Sequence, residues 1–409
     1  MRLKNFRGLA LFLSLLLGSH VRGQVASVGI LGDSLSTGAG THPSLEFNGD
    51  SLWDVFKGVT AITATSENQG VQDFIKAKHL EKPVVLNPGV REYRSGFEWV
   101  MANLQRTFSV KFLNTQEYSW GHLLGRSLGA EGSSIYIAGQ NGARVATMRR
   151  QADRLIDHLD GKLPDKVFAL YSGNDLCASH LSLMTSQDEF KASILGGLKY
   201  FGVNGQPAKS GTEILVVGFL GVTQLMASDS ILDKKIKAFG ESMTCRQLRN
   251  DQFLPKNPPT TAKHPETLFM SHMVPPNPAR YCPTLFALPL LAQSETGIFS
   301  SMSEGGTSTS SEGKRESLAT SRTNQVNRKI DEMLGQISSR VRQYRSASSQ
   351  AVREANIWMQ SKYPQKNIKF RYIATSEHLK FEAEDVAEDC FHLSTKGHLK
   401  VAKTISEAI

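Results

Sequence analysis

Length, composition and charge restrict the classes of protein to which this chain can belong. The chain has 409 residues, of which 40% are hydrophobic, and it carries a formal net charge of +9 at pH 7. That length can bury one large core or two smaller ones. No basic patch interleaved with aromatic residues occurs, so nucleic-acid binding is not predicted. The dispersed Lys and Arg residues either favour peripheral contact with anionic membrane surfaces or form an ordinary solvated surface.

The first residues have the pattern of a secretory signal peptide. Basic residues precede an apolar run from Leu9 to Leu17, and the small residues that follow suit signal peptidase. The run is too short to span a bilayer, which takes about 20 residues. We therefore predict that residues 1–23 are removed with their four basic residues, which lowers the formal charge from +9 to +5. Residues 24–409 would then form one secreted or periplasmic domain; a retained anchor and a buried first helix are the alternatives.

The predicted mature chain contains four cysteines, Cys177, Cys245, Cys282 and Cys390. An even number of cysteines in an oxidising compartment permits two disulfide bonds, and four cysteines allow three pairings. Their spacings do not choose among these pairings. They also lack the paired Cys-x-x-Cys pattern of zinc sites, so neither a metal nor another cofactor is predicted.

Alternating strand and helix patterns predict an α/β fold. Short β-branched and apolar runs alternate with helical patterns, which is typical of a parallel sheet covered by helices on both faces. The five predicted strands are Val25–Leu31, Ser133–Ala138, Val167–Tyr171, Ile214–Phe219 and Ile368–Ala374. Apolar stripes at helical spacing include Trp120, Leu123, Leu124 and Leu128; Val145, Met148, Ala152, Leu155 and Leu159; Val326, Ile330, Met333, Ile337 and Val341; and Leu399, Ala402, Ile405 and Ile409. Ser186 with Glu189 has capping-box spacing, and Ser394 is a predicted cap of the last helix.

Two long segments interrupt this alternation. Residues 41–116 separate the first strand from its helix and hold aromatic residues, namely Phe47, Trp53, Phe56, Phe97 and Trp99. This segment is predicted either to form a lid or substrate wall or only to pack on the rim. Residues 223–321 form the second insertion, and the Ser, Thr and Gly content of residues 293–321 predicts a flexible segment.

A serine follows the first predicted strand in Gly32-Asp33-Ser34-Leu35. A serine on a tight turn at the carboxyl end of a strand projects its hydroxyl into the crevice where such sheets bind ligands. Ser34 is therefore a candidate nucleophile. Gly-Asp-Ser also occurs as ordinary turn sequence, so the tetrapeptide alone is a weak signal.

A candidate base and its carboxylate lie just before the last helix, in Asp389-Cys390-Phe391-His392. Three-residue spacing in a turn lets Asp389 reach the imidazole of His392, which orients the ring and stabilises it once protonated. An Asp and a His near a helix start can also be a cap. His398, one turn into the helix, is predicted to be structural.

Gly142 and Asn174 follow the second and third predicted strands. A glycine N–H and a side-chain amide at adjacent strand ends can both donate to one substrate oxygen. They are candidate oxyanion donors, although Asn and Gly are also common turn residues. Together with Ser34 and His392, they place one candidate at the carboxyl end of each of four strands, which is the edge where doubly wound sheets have their active sites.

This arrangement resembles the SGNH, or GDSL-type, hydrolase superfamily. Its four blocks match Gly32-Asp33-Ser34-Leu35, Gly142, Gly173-Asn174-Asp175 and Asp389 to His392, and the wording of the last two is similar to the phospholipase B branch. The resemblance covers about half the chain. It implies a three-layer, flavodoxin-like α/β/α fold with a five-stranded parallel sheet. It also implies Ser34 as nucleophile, His392 as base and Asp389 as orienter, with Ser34 N–H, Gly142 and Asn174 as oxyanion donors.

With that fold, the loops after the third and last strands converge, and the implied disulfide pairing is Cys177–Cys390 with Cys245–Cys282. The implied activity is hydrolysis of carboxylic esters of lipids or phospholipids through an acyl-enzyme. An acetylesterase acting on an acylated glycan and a non-catalytic surface binding module are the alternatives. No cofactor and no nucleic-acid partner are implied.

Overall fold

A parallel β-sheet organises the part of the chain that the structure describes. The computed structural model describes residues 25–39, 41, 83–86, 116–171, 173–238, 241–250, 282–286, 288–295, 312–387 and 390–409. The strands are β1 Val28–Gly32, β2 Val84–Val85, β3 Ile135–Ile137, β4 Lys166–Leu170, β5 Thr212–Val217, β6 Lys235–Ala238, β7 Glu241–Thr244 and β8 Ile368–Ile373. Six of them form one sheet in the order β2-β3-β1-β4-β5-β8, with every neighbouring pair parallel. β6 and β7 form a separate antiparallel hairpin.

All five predicted strands are present in this sheet, but the predicted number of strands was wrong. The sixth, β2, lies inside the segment 41–116 and extends the sheet beyond β3. Two valines are too short a run to be told from a loop by periodicity. If β2 is left out and the other five strands are numbered as they occur along the chain, their order across the sheet is 2-1-3-4-5, which is a doubly wound order.

Helices cover both faces of the sheet. They are α1 Trp120–Ser127, α2 Met148–His158, α3 Gln187–Asn204, α4 Gln224–Ala227, α5 Asp229–Leu232, α6 Cys245–Asn250, α7 Pro283–Phe286, α8 Leu288–Glu295, α9 Glu312–Lys362 and α10 Thr395–Glu407. Successive strand residues face opposite sides. A Cβ added at Gly29 would lie 2.7 Å from Leu155 in α2, whereas one added at Gly121 in α1 would lie 2.7 Å from Ile30. The two helices therefore lie on opposite faces. Helix α10 packs on α1, and α3 packs on both α2 and α9. This arrangement is compatible with a three-layer α/β/α fold.

Both predicted helix caps are confirmed. Ser186 Oγ accepts a hydrogen bond from Glu189 N–H at 3.2 Å, and the Glu189 carboxylate accepts one from Ser186 N–H at 2.9 Å. Ser394 Oγ accepts from Gly397 N–H at 3.3 Å at the start of α10. These caps fix where α3 and α10 begin.

The long helix α9 carries the apolar stripe that the sequence predicts, and it begins earlier than expected. Met333, Ile337 and Val341 are buried against the core. The helix starts at Glu312, inside the segment 293–321 that was predicted to be flexible. Glu, Lys, Arg, Leu and Ala in residues 312–319 favour helix, which outweighs the Ser and Thr content on which that prediction rested.

The implied disulfide pairing was wrong, because each cysteine of the loops after β4 and β8 is bonded to a cysteine of the second insertion. Cys177 is bonded to Cys282, and Cys245 is bonded to Cys390. The loops after β4 and β8 do converge, since a Cβ at Gly173 would lie 3.7 Å from the Phe391 ring. The insertion, however, passes beside both loops and supplies each cysteine with its partner.

Hydrogen bonds hold the insertion beside these loops. The Thr284 hydroxyl in α7 donates to Leu176 C=O at 2.5 Å, and its oxygen accepts from Ala178 N–H at 3.0 Å. On the other side, the N–H of Cys245 donates to Lys234 C=O at 3.0 Å, and Lys234 Nζ donates to Val386 C=O at 2.5 Å. The insertion is thus part of the packed domain where it is described.

Two disulfide bonds fit a protein of an oxidising compartment. No helix in the described part of the chain combines the length and the apolar character that crossing a bilayer needs. The predicted signal peptide, residues 1–23, lies outside the described residues and stays a prediction. The same holds for the aromatic residues of the first insertion.

Candidate active site

Ser34 lies in a tight turn at the carboxyl end of β1. Gly32 has a φ of +144°, and a Cβ at this position would lie 2.1 Å from Leu170 C=O in β4, so only glycine fits here. The Ser34 carbonyl accepts hydrogen bonds from Ala39 N–H at 2.9 Å and from the Thr37 hydroxyl at 2.9 Å. Ser34 retains 8% exposure. The turn therefore fixes the backbone of Ser34, which also lines the neighbouring cleft.

The imidazole of His392 meets the Ser34 hydroxyl. His392 Nε2 lies 3.0 Å from Ser34 Oγ, although the two residues are 358 positions apart in the chain. The His392 loop is closed by a bridge between Val386 and Leu393 and by a 2.8 Å hydrogen bond from Ala387 N–H to His392 C=O. The predicted meeting of hydroxyl and imidazole is present in the structure, at a distance suited to proton transfer.

The other sequence candidates differ in how well the structure places them. Asn174 lines the same cleft as Ser34 and His392, and its amide donates one hydrogen bond, to Ala143 C=O at 3.1 Å. An amide has two N–H donors, so one remains for a substrate oxygen. Gly142 has a φ of +70° in the exposed turn next to Ala143, and it is not among the residues that line the cleft. Asp389 lies outside the described residues, so its role stays a prediction.

The cleft beside Ser34 is mostly apolar. It has about 400 Å³ of empty volume, part of it open to solvent. Its apolar wall comes from the turn after β1, the segment after β5 and the loops after β8: Leu35, Leu220, Val222, Leu225, Phe381, Phe391 and Leu393. Leu225 belongs to α4, so the second insertion contributes to this wall.

Asp175, which follows Asn174 directly, is a buried carboxyl group with no role predicted from the sequence. Its carboxylate accepts hydrogen bonds from Val145 N–H at 3.0 Å and from the Thr185 hydroxyl at 2.9 Å. Burial, with a smaller contribution from nearby Asp33, raises the pKa of Asp175 to about 7 against the lowering effect of these hydrogen bonds. Asp175 joins the loop after β3 to the loop after β4. Its position directly after Asn174 was the available signal.

His398 is structural, as predicted, and it is fully buried. Its Nδ1 accepts a hydrogen bond from Trp120 N–H at 3.1 Å, and its Nε2 lies 3.2 Å from Ala39 C=O. Since Nδ1 accepts, Nε2 must carry the proton and donate to Ala39. The neutral ring therefore links α1 and α10 to the turn that holds Ser34.

Two buried histidines are expected to make the fold less stable in acid. His122 in α1 is fully buried, and neither ring nitrogen has a hydrogen-bond partner within the described residues. Burial, with a smaller effect of Arg126, lowers the pKa of His122 to about 4, and burial lowers the pKa of His398 to about 3. In the unfolded chain both protonate near pH 6.5. Below that pH the unfolded state therefore binds more protons on these two residues than the folded state does.

Asp175 acts in the opposite direction, because its raised pKa lets the folded state bind a proton that the unfolded chain lacks. Near pH 5 the unfolded state holds about two of these protons and the folded state about one. Near pH 5 these three groups should therefore lower the free energy of unfolding by about 1.4 kcal/mol for each unit of pH decrease. His122→Leu removes one histidine and should reduce that slope by about the same amount. Urea unfolding of both proteins between about pH 7 and 5 measures this, and parallel slopes would contradict it.

Within the described residues, no group of three or more His, Cys, Asp or Glu side chains is placed to hold a metal ion. Comparison with known proteins finds neither a matching protein-family model nor a matching curated sequence. The resemblance to the SGNH superfamily therefore stays a prediction.

Proposed function

We propose that the protein is a secreted serine hydrolase that cleaves carboxylic esters through an acyl-enzyme. The observation that carries this proposal is the 3.0 Å contact between Ser34 Oγ and His392 Nε2 at the rim of an apolar cleft. The neutral imidazole removes the serine proton as Oγ attacks the ester carbonyl carbon, and the resulting imidazolium donates that proton to the leaving alcohol. Water, deprotonated by His392, then attacks the acyl-enzyme and releases the acid.

The negative charge that develops on the carbonyl oxygen needs hydrogen-bond donors. Asn174 lines the cleft and has one amide N–H not used by Ala143. The Ser34 N–H is the second proposed donor. The resemblance also assigns the Gly142 N–H to the oxyanion hole, although Gly142 does not line the cleft. Asp389 is proposed to orient His392 and stabilise its protonated form. This division of roles follows the SGNH resemblance.

Lipid or phospholipid acyl esters are the proposed substrate class. Leu220, Leu225 and Phe381 give the cleft an apolar lining beside the nucleophile, although each exposes only a small part of its surface. An acyl chain that enters the cleft would gain about 0.8 kcal/mol for each CH2 that it buries. A glycan acetylesterase would use the same catalytic groups, but it would leave most of this wall without a substrate contact. The N-terminal pattern and the two disulfide bonds support secretion.

A serine-reactive fluorophosphonate probe tests the nucleophile. We expect the probe to label the wild type and Ser348→Ala, and not Ser34→Ala. Ser348 is a matched control because it is a buried serine on α9, hydrogen-bonded to Tyr344 C=O at 2.9 Å, and it does not line the cleft. Labelling of Ser34→Ala as strong as that of the wild type would defeat the proposal.

A substrate series then separates the candidate functions. Aryl esters of increasing chain length should be hydrolysed with kcat/KM rising beyond acetate, because the longer chain covers more of the apolar wall. A maximum at acetate, with turnover of acetylated glycan, would favour the acetylesterase. No turnover of any ester would favour a binding module on this fold.

A further inference from the structure

Gln151 is a buried amide that binds the end of β1 two residues before Ser34. It lies on α2 and is fully buried. Its Oε1 accepts a hydrogen bond from Gly32 N–H at 2.8 Å, and its Nε2 donates to Gly32 C=O at 2.9 Å. One side chain thus binds both backbone groups of the glycine on which the Ser34 turn begins.

The orientation of this amide is fixed by two further hydrogen bonds. Oε1 also accepts from the Tyr171 hydroxyl at 3.0 Å, and Nε2 also donates to Thr147 Oγ1 at 3.1 Å. A primary amide has two acceptor and two donor positions, so Gln151 uses all four. The opposite orientation would place its oxygen against the Gly32 carbonyl. A fully satisfied buried amide of this kind holds its partners in one geometry.

Gly32 is the point at which such support matters for the serine. Its φ of +144° takes the chain out of the strand and into the turn, and glycine is the residue with the greatest backbone freedom. Gly32 C=O also accepts a hydrogen bond from Gln140 N–H at 3.0 Å, but the Gln151 amide binds both Gly32 N–H and Gly32 C=O. Loss of that amide would let small changes at Gly32 move Ser34 relative to His392, which lies on a different loop. A displacement of about 1 Å can cost about 100-fold in rate.

We propose that Gln151 is a positioning residue, which holds Ser34 at the distance from His392 that proton transfer requires. The proposal rests on the hydrolase function proposed above. Gln151 touches neither the cleft nor the substrate, since it is absent from the cleft lining. Its loss should therefore lower kcat and leave KM nearly unchanged.

Two substitutions distinguish positioning from general support of the fold. Gln151→Leu keeps the side-chain size and removes all four hydrogen bonds, so we expect kcat to fall about 10- to 100-fold. In Gln151→Glu the neutral carboxyl can donate to Gly32 C=O and accept from Gly32 N–H, which preserves both anchors. The ionised carboxylate would instead face the Gly32 carbonyl oxygen and repel it. Burial raises the pKa of such a carboxyl group, so its ionisation should occur within the working pH range.

Steady-state kinetics on an aryl ester, from about pH 5 to 9, give the readout. We expect the ratio of Gln151→Glu to wild-type kcat to be highest at low pH and to fall as pH rises, with Gln151→Leu low throughout. Ile156→Ala is the control, because Ile156 is a buried apolar residue of the same helix; it should lower Tm and keep the wild-type kcat. Wild-type kcat in Gln151→Leu, or a pH-independent ratio for Gln151→Glu, would overturn the positioning role. An inactive wild type would instead defeat the hydrolase proposal itself.

Discussion

Ser34→Ala is expected to lower kcat/KM for an aryl ester by about 10⁶-fold, and His392→Ala should have a similar effect. Nucleophile and base act as one unit, because the serine hydroxyl attacks the ester only when the histidine removes its proton. The 3.0 Å contact between Ser34 Oγ and His392 Nε2 is the structural reason. The double variant should therefore be no slower than either single variant.

The measurement is kcat/KM for all three variants beside the wild type, with circular dichroism to verify folding. Additive losses, in which the double variant loses the product of the two single effects, would mean that the residues act independently. A residual rate of about 10³ to 10⁴ over water is expected to survive from the oxyanion donors and from substrate binding. Activity near the wild-type level in either single variant would contradict the proposed mechanism.

Removing the Cys245–Cys390 bond is expected to have the second largest effect, on both stability and rate. Replacing both cysteines with serine should lower the free energy of unfolding by about 2 to 5 kcal/mol. Cys390 is two residues before His392 and has a φ of +57°, a left-handed conformation that costs a residue with a Cβ about 1 to 2 kcal/mol. Without the bond to Cys245 this loop should relax toward ordinary φ values and displace His392. We expect kcat to fall about 10- to 100-fold.

The Cys177–Cys282 bond provides the matched control. The two bonds close 105 and 145 residues, so their entropic contributions to stability should be nearly equal. The loop at Cys177 also keeps the hydrogen bonds of Asp175 and Thr284 when its disulfide is removed. Cys177→Ser with Cys282→Ser should therefore lose similar stability and much less kcat. Equal losses of kcat in the two double variants would show that the position of Cys390 beside the base has no special importance.

The meeting of Ser34 and His392 could be predicted because its signals are local in sequence. The glycine-bounded turn after β1 and the Asp-x-x-His turn before α10 are each short patterns. Carboxyl ends of parallel strands share one edge of the sheet, so identifying the strands was enough to bring the two residues together. The capping signals of Ser186 and Ser394 likewise depend on only a few neighbouring residues.

The disulfide pairing could not be predicted in this way. It depends on the path of the second insertion, which no local pattern describes. The premise that the loops after β4 and β8 converge was correct, as the proximity of Gly173 and Phe391 indicates. The loop cysteines Cys177 and Cys390, however, are bonded to Cys282 and Cys245 of the second insertion and not to each other. Strand β2 was missed for a different reason, because Val84–Val85 is defined by its pairing with β3 and not by its own sequence.

Gln151 shows a signal that was present in the sequence and not used. It lies on the same helical stripe as Met148, Ala152 and Leu155, all of which are buried. A polar residue on an apolar stripe must find hydrogen-bond partners inside the protein. The sequence could therefore have indicated a buried amide, although not that its partner would be Gly32.

The 358 positions between Ser34 and His392 also determine when reactivity can arise. Chains are synthesised from the amino terminus, and long-range contacts form only after both segments have emerged. The hydroxyl is thus made early and its imidazole partner late. If the proposed hydrolase function holds, a nascent chain therefore carries an unactivated serine until the His392 loop has been made and has folded against β1.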